Sequence, residues 1–112
     1  MEEGERFSES EPNFIESSSG FSVRILGLTG MRYSEGRRSV WIDSEDLATG
    51  AMALFKDSIK TWEGEGGERA VSAADRDRIV ANIKRAFESC GYELVVQSDF
   101  EWPFGLRDNS GS

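Results

Sequence analysis

The chain has 112 residues, and its 21 acidic against 13 basic residues give a formal net charge of -8. This length suffices for one hydrophobic core but not for two, and the acidic balance argues against a non-specific nucleic-acid binder. Because histidine is absent and Cys90 is the single cysteine, the sequence excludes Ser-His-Asp and Cys-His catalysis, structural zinc and an internal disulfide framework.

The first twenty residues are acidic and polar. Residues 1–16 contain six acids and one base, and a run of serines follows at 17–19. This composition is typical of solvated, mobile segments. We therefore predict a flexible acidic arm over 1–20, a single folded domain over 21–97 and an aromatic-containing tail over 98–112.

The N-terminus has no basic and apolar stretch of the kind found in a secretory signal. No window of the sequence approaches the roughly 18 apolar residues that a membrane span needs. A lone cysteine is compatible with a reducing compartment. The sequence therefore predicts a cytoplasmic protein that has no membrane partner.

Strand patterns open the folded segment. Apolar and polar residues alternate over 21–28, which predicts a half-buried strand. The segments 31–33 and 38–43 flank a turn at 34–36, an arrangement typical of a β-hairpin.

One aromatic residue of this hairpin has an unusual position. In an alternating strand, Trp41 faces the side opposite to Val40 and Ile42. The ring is then either covered by a tail or available to a partner.

The middle of the chain is less regular. Residues 43–50 have cap and turn residues at both ends, which indicates a helical turn or a loop. The apolar run 51–55 predicts a buried strand. Three glycines and three acids at 63–68 predict a mobile surface loop.

A long helix and a last strand complete the pattern. Ser72 with Asp75 resembles an N-terminal capping box, Gly91 supplies a stop, and 92–97 predicts a strand. The apolar residues that recur at helical intervals are Ile79, Val80, Ile83, Ala86, Phe87 and Cys90. They predict one buried helix face, on which Cys90 is a small hydrophobic residue and not a reactive thiol.

The predicted elements define a fold class. Strands outnumber helices, and several of the strands are joined by short turns. We predict an α+β fold, with an antiparallel or mixed β-sheet of about five strands and one long α-helix packed on one face. Ile83 and Phe87 are expected at the centre of the contact between helix and sheet.

Carboxylates are the remaining candidates for acid-base chemistry. The densest groups lie in segments rich in serine or glycine, without the apolar surroundings that raise a carboxyl pKa. Their spacing matches neither a calcium-binding loop nor a phosphate-binding glycine loop. We predict no enzymatic activity, no metal and no cofactor.

Three stretches carry a resemblance to a known family. They are 31–43, the segment 57–62 with its Asp-Ser-Ile-x-x-Trp pattern, and the capped helix with Ile-x-x-Asn-Ile at 79–83. Over 31–97 the chain resembles small bacterial immunity proteins of polymorphic toxin systems. The resemblance implies a cytoplasmic antidote that binds a cognate toxin domain and blocks it.

Surface acids and tryptophans independently favour a protein-binding module. A basic toxin would suit the acids, because complementary charge speeds association. The predicted contact residues are Trp41, Asp43, Glu45, Asp46, Trp62, Glu63, Glu65 and Glu68.

Other functions stay open at this point. An intracellular adaptor or regulatory domain that binds some other protein is the alternative, and an acid-based enzyme ranks below it. RNA binding is a weaker hypothesis, because the basic residues of the helix are interleaved with acids. We therefore expect no nucleic-acid partner.

Overall fold

The computed structural model describes residues 5–27, 30–47, 50–64 and 66–97. Within them, ten strands and one α-helix follow one another. The strands are β1 (Phe7–Glu11), β2 (Phe14–Ser17), β3 (Phe21–Ile25), β4 (Met31–Glu35), β5 (Arg38–Ile42), β6 (Ser44–Asp46), β7 (Met52–Phe55), β8 (Thr61–Gly64), β9 (Arg69–Ala70) and β10 (Leu94–Gln97). The helix α1 spans Ala73–Ser89, and a short 3-10 helix covers Lys56–Ser58.

The described strands form two sheets. Seven of them pair antiparallel in the order β1-β2-β3-β4-β5-β8-β9. The other three follow the order β10-β7-β6, with β10 parallel and β6 antiparallel to β7. The chain passes from β5 through Asp43 directly into β6, so one extended segment belongs to both sheets. The α+β class is confirmed, but the strands are more numerous than the predicted five.

The prediction of an unstructured arm is wrong between residues 7 and 17. These residues form the β1–β2 hairpin, with a turn in which Asn13 has a φ of 66°. β2 pairs with β3, and Ile15 is buried in the core. Composition suggested a mobile segment because the many exposed polar residues of the hairpin outnumber the few that face inward.

The acidic segment after β5 was also predicted wrongly. Ser44–Asp46 is a strand and not a helical turn or loop. The Phe55 N–H donates to the Asp43 carbonyl at 3.0 Å, and the Leu47 N–H donates to the Ala51 carbonyl at 2.8 Å. Pairing with β7 therefore overrides the local turn preference of these residues.

The predicted glycine loop is shorter than expected. Its first two residues, Glu63 and Gly64, belong to β8, and β9 begins at Arg69. The exposed turn between the two strands includes Gly66 and Gly67, both with positive φ.

The hydrophobic core lies between α1 and one face of the seven-stranded sheet. The registers place Ile15, Val23, Tyr33 and Val40 side by side on this inner face, and all four are buried. Leu54 joins them from the three-stranded sheet. The helix residues that complete the core are Ile79, Ile83, Ala86 and Phe87. The predicted apolar helix face is therefore confirmed.

Both ends of α1 follow from local sequence. The Asp75 N–H donates to the Ser72 hydroxyl at 3.0 Å, which is an N-terminal cap. At the other end Gly91 has a φ of 79°, and the Tyr92 N–H donates to the Phe87 carbonyl at 2.9 Å. This is a Schellman motif, which glycine permits because it has no Cβ. Among the described residues, no helix combines the length and the apolar character that crossing a bilayer requires.

Removing a core side chain of α1 should weaken the fold strongly. Ile83→Ala and Phe87→Ala are each expected to lower the free energy of unfolding by about 2–5 kcal/mol, because they leave a cavity in a close-packed core. Lys84→Ala, on the exposed side of the same helix, should change it by less than about 0.5 kcal/mol. Urea denaturation followed by circular dichroism measures both, and equal losses would contradict the assignment of the buried face.

Candidate partner-binding face

The side of the large sheet that faces away from α1 carries a different set of residues. One row across β2 to β5 consists of Phe14, Arg24, Arg32 and Trp41. The next row runs from β2 to β8 and consists of Glu16, Ser22, Ser34, Ser39 and Glu63. We call these nine residues the outer face. Each of the nine is exposed or half-buried in the described structure.

Two arginines and two aromatic rings dominate the outer face. The Arg24 guanidinium lies 4.3 Å from the centre of the Phe14 ring and 3.3 Å from a Glu11 carboxylate oxygen. Arg32 donates to the Ser39 hydroxyl at 3.1 Å and lies 3.8 Å from a Glu63 carboxylate oxygen. Exposed ion pairs of this kind contribute little stability, so a partner can replace them at small cost.

A glycine fixes the position of the Trp41 ring. Gly30 has a φ of 117°, and a Cβ at this position would lie 2.6 Å from the Ile42 carbonyl oxygen and 2.9 Å from the Trp41 Nε1 atom. The indole therefore packs directly against the backbone of residue 30, although 42% of the Trp41 residue stays exposed. The predicted orientation of Trp41, opposite to Val40 and Ile42, is confirmed.

The predicted contact residues fall into separate regions. Trp41 and Glu63 both belong to the outer face. Asp43 follows β5, and Glu45 and Asp46 are exposed on β6 in the smaller sheet. Glu68 is exposed just before β9, and Glu65 lies outside the described residues.

Seven of the nine outer-face residues, among them Phe14, Arg24 and Arg32, were not predicted as contacts from the sequence. Arg24 and Arg32 alternate with buried positions of β3 and β4, so the same period of two that located Trp41 indicates their side of the sheet. Phe14 was missed because it lies in the segment that was predicted to be unstructured. The alignment of these side chains in one row depends on strand register, which local sequence does not specify.

Trp62 is a core residue, and its predicted role as a partner contact is wrong. It is 2% exposed and lies on the inner side of the sheet. The indole N–H donates to an Asp75 carboxylate oxygen at 3.2 Å, and the Arg38 guanidinium lies 3.9 Å from the ring centre. These contacts satisfy the polar atom of a buried tryptophan.

A polar network joins this part of the core to the helix. Glu35 accepts hydrogen bonds from Arg78 at 2.7 Å, from the Tyr33 hydroxyl at 2.7 Å and from Arg38 at 3.2 Å. The buried Asn82 amide donates to the Tyr33 hydroxyl oxygen at 2.8 Å. Burial acts to raise the pKa of Glu35, but hydrogen bonds from two arginines and a tyrosine outweigh it and hold this pKa below its ordinary value.

A second ion pair fastens the N-terminal segment to the helix. Arg85 donates to a Glu5 carboxylate oxygen at 2.8 Å, and this hydrogen bond is the main reason why the pKa of Glu5 falls to about 2. The Glu5 carboxylate also accepts a hydrogen bond from the Ser17 hydroxyl at 2.7 Å. Structural partners hold these carboxylates in the ionised form. A general acid must instead carry a proton that it can donate.

The other acids that the structure describes do not assemble into a metal site. Across residues 5–27, 30–47, 50–64 and 66–97, no three Asp, Glu or Cys side chains come together in a group that could hold a metal ion.

Comparison with known proteins places the chain in a family. The sequence profile described as Immunity protein 74 matches residues 26–97. The chain belongs to this family of immunity proteins. The resemblance predicted from the sequence is thereby confirmed, and membership implies a toxin partner in general terms. No curated protein and no solved structure matches the chain.

The extent of the Immunity protein 74 match divides the outer face. The matched region begins after β3 and includes β4 to β10 and α1. Arg32 and Trp41 lie inside it, whereas Phe14 and Arg24 lie on strands that precede it. The N-terminal hairpin and β3 therefore extend the sheet beyond the matched region of this immunity protein.

The lowered pKa values predict acid sensitivity. A carboxyl with a lowered folded pKa adds stability above its unfolded pKa and loses it as the pH falls through the folded value. For Glu5 this window runs from 4.5 down to about 2. The free energy of unfolding should therefore fall over this range. Urea titrations at several pH values measure it.

A neutral substitution tests the hydrogen-bond network around Glu35 at pH 7. Glu35→Gln should cost about 1–3 kcal/mol, because the buried Tyr33 and two half-exposed arginines lose their charged acceptor, and should make the loss at low pH shallower. Glu88→Gln removes one exposed carboxylate from α1 and is the matched control. Equal stability and equal pH dependence of the two variants would contradict a structural role of the network.

The packing of Trp41 on Gly30 can be tested directly. Gly30→Ala should lower the free energy of unfolding by about 1–3 kcal/mol and shift the Trp41 indole N–H resonance, because both strain and crowding oppose a Cβ there. Gly36→Ala is the control, since its φ of 62° is also positive but open space surrounds it. An unchanged indole signal in Gly30→Ala would show that the ring does not rest on this glycine.

Proposed function

We propose that this chain binds a cognate toxin domain through the outer face and inhibits it by occlusion. The observation that carries the proposal is the exposed Trp41 ring beside Arg32, on a sheet face that α1 leaves uncovered, in a chain of an immunity protein family. Occlusion needs shape and charge complementarity and no reacting group. The proposal therefore includes no enzymatic activity and no cofactor.

The residue types on the outer face support a contact of this kind. Tryptophan and arginine are the side chains that most often dominate binding energy at protein interfaces. Trp41 and Arg32 are direct cross-strand neighbours, and the Arg32 side chain is 43% exposed. Gly30 holds the Trp41 ring and the Ser39 hydroxyl holds Arg32, so little side-chain entropy is lost when a partner binds.

Charge supports the choice of a basic partner. Asp43, Glu45 and Asp46 stand close together in the chain, and residues 39–55 contain no lysine or arginine. An acidic region increases the rate of encounter with a basic protein. The two arginines of the outer face are paired with acids, Arg32 with Glu63 on the same face and Arg24 with Glu11 next to it. We assign the acids of β6 to attraction and the outer face to specific contact.

Location is part of the proposal. We propose that the protein acts in the cytoplasm, where it protects the producing cell and its kin. A single cysteine is compatible with a reducing compartment and supports this assignment.

Co-expression tests the antidote function. The toxin domain encoded beside this gene is expressed with the wild-type chain, with Trp41→Ala and with Arg32→Ala. Wild type should protect the cells, and each variant should bind at least about 30-fold more weakly, which corresponds to about 2 kcal/mol of binding energy. Affinities of the purified proteins are measured by isothermal titration calorimetry.

A matched variant separates binding from folding. Arg76→Ala removes an arginine from α1, on the other side of the large sheet, and should leave the affinity unchanged within about twofold. All variants should unfold near the wild-type temperature. If the wild-type chain does not prevent killing, the antidote function is refuted for that toxin. If Trp41→Ala binds with full affinity, the outer face is excluded as the contact.

A further inference from the structure

A small cavity lies where the two sheets and the end of α1 meet. Its volume is about 240 Å³. The apolar part of its lining comes from Ile25, Met52, Phe87 and Tyr92, and two carboxylates, Asp46 and Glu93, belong to the same lining. We call this space the junction cavity. It is smaller than the roughly 300–1,000 Å³ of typical cofactor sites, so it suits a single side chain.

The walls of the junction cavity are held by hydrogen bonds. The Tyr92 ring packs edge-on against Phe87 at a centroid distance of 5.8 Å, and its hydroxyl donates to a Glu9 carboxylate oxygen at 2.8 Å. The Met52 N–H donates to the Glu93 carbonyl at 3.0 Å. The Ile25 N–H donates to the Asn13 carbonyl at 2.8 Å, which brings the N-terminal hairpin to the same place.

The chemistry of the cavity specifies one class of occupant. Asp46 and Glu93 are both exposed, and no lysine or arginine is among the described residues that line the cavity. Lysine and arginine side chains bury an aliphatic stem against apolar surface and keep a charged head at the rim. Arginine also stacks on aromatic rings, and Tyr92 offers one that is 39% exposed. Apolar walls with two carboxylates match such a side chain.

We propose that the junction cavity receives a lysine or arginine side chain of the toxin, and that Asp46 and Glu93 bind its positive charge. This inference rests on the proposed antidote function and names the chemistry of the partner. Gly27 lines the cavity, and Gly30, close to it in the chain, supports Trp41 of the outer face.

A charge-matched pair of variants tests the inference. The full chain carrying Asp46→Asn with Glu93→Gln is compared with the chain carrying Asp77→Asn with Glu88→Gln. Both pairs remove two exposed carboxylates, but only the first pair changes the cavity. The cavity pair should weaken binding to the toxin domain encoded beside the gene at least tenfold, mainly through faster dissociation. The control pair should stay within about twofold of wild type.

The outcomes separate the inference from the function on which it rests. Equal losses of affinity in the two pairs of variants would show that net charge alone causes the effect. They would overturn the cavity site. Undiminished affinity of the cavity pair, with wild type binding and protecting normally, would overturn the site and leave the antidote function intact. A wild-type chain that neither binds nor protects would overturn both.

A second measurement identifies the occupant. Each lysine and arginine in the toxin's contact surface is replaced by methionine and combined with the cavity pair. With one of these toxin variants, the cavity pair should cause no further loss of affinity. This lack of additivity is the signature of a direct contact. Weaker binding of Met52→Ala without such coupling would indicate an apolar occupant and would refute the cationic one.

Discussion

The packing of α1 on one face of the seven-stranded sheet is the contact on which the other features depend. A strand presents successive side chains to opposite faces, so covering one face with a helix leaves the other to solvent. Ile83 and Phe87 bury the inner face together with residues from several strands. The same alternation then carries Trp41, Arg32 and Arg24 to the outer face. In this protein the core and the candidate contact surface are two sides of one set of strands.

Polar side chains at the margin of the core tie the helix to the sheet. Tyr33 and Asn82 share a buried hydrogen bond, and Glu35 accepts from Arg78 on α1. Such bonds are directional, whereas apolar packing alone is tolerant of small shifts. The asparagine of the helical Ile-x-x-Asn-Ile pattern therefore has a structural partner in this chain. The strongly held carboxylates serve the fold, whereas Glu45 and Asp46 of β6 are exposed to solvent.

Two of the tryptophans have opposite environments in the fold. Both were predicted as contacts, because large rings in polar segments suggested a surface function. Trp41 is exposed beside Arg32, whereas Trp62 is enclosed by the core and by Arg38. The alternation of β5 was regular enough to orient Trp41. The spacing around Trp62 was irregular, and its side became clear only from the pairing of Ser39 with Glu63.

Local sequence was sufficient for features whose physical cause is local. The cap at Ser72, the stop at Gly91, the buried face of α1 and the β4–β5 hairpin depend on residues a few positions apart. Features that depend on distant pairings were missed or wrong. The β1–β2 hairpin needs β3 as a neighbour, and β6 needs β7. The arginine and aromatic row, like the junction cavity, forms only when register and the meeting of the two sheets bring together residues far apart in the chain, which short-range propensity does not encode.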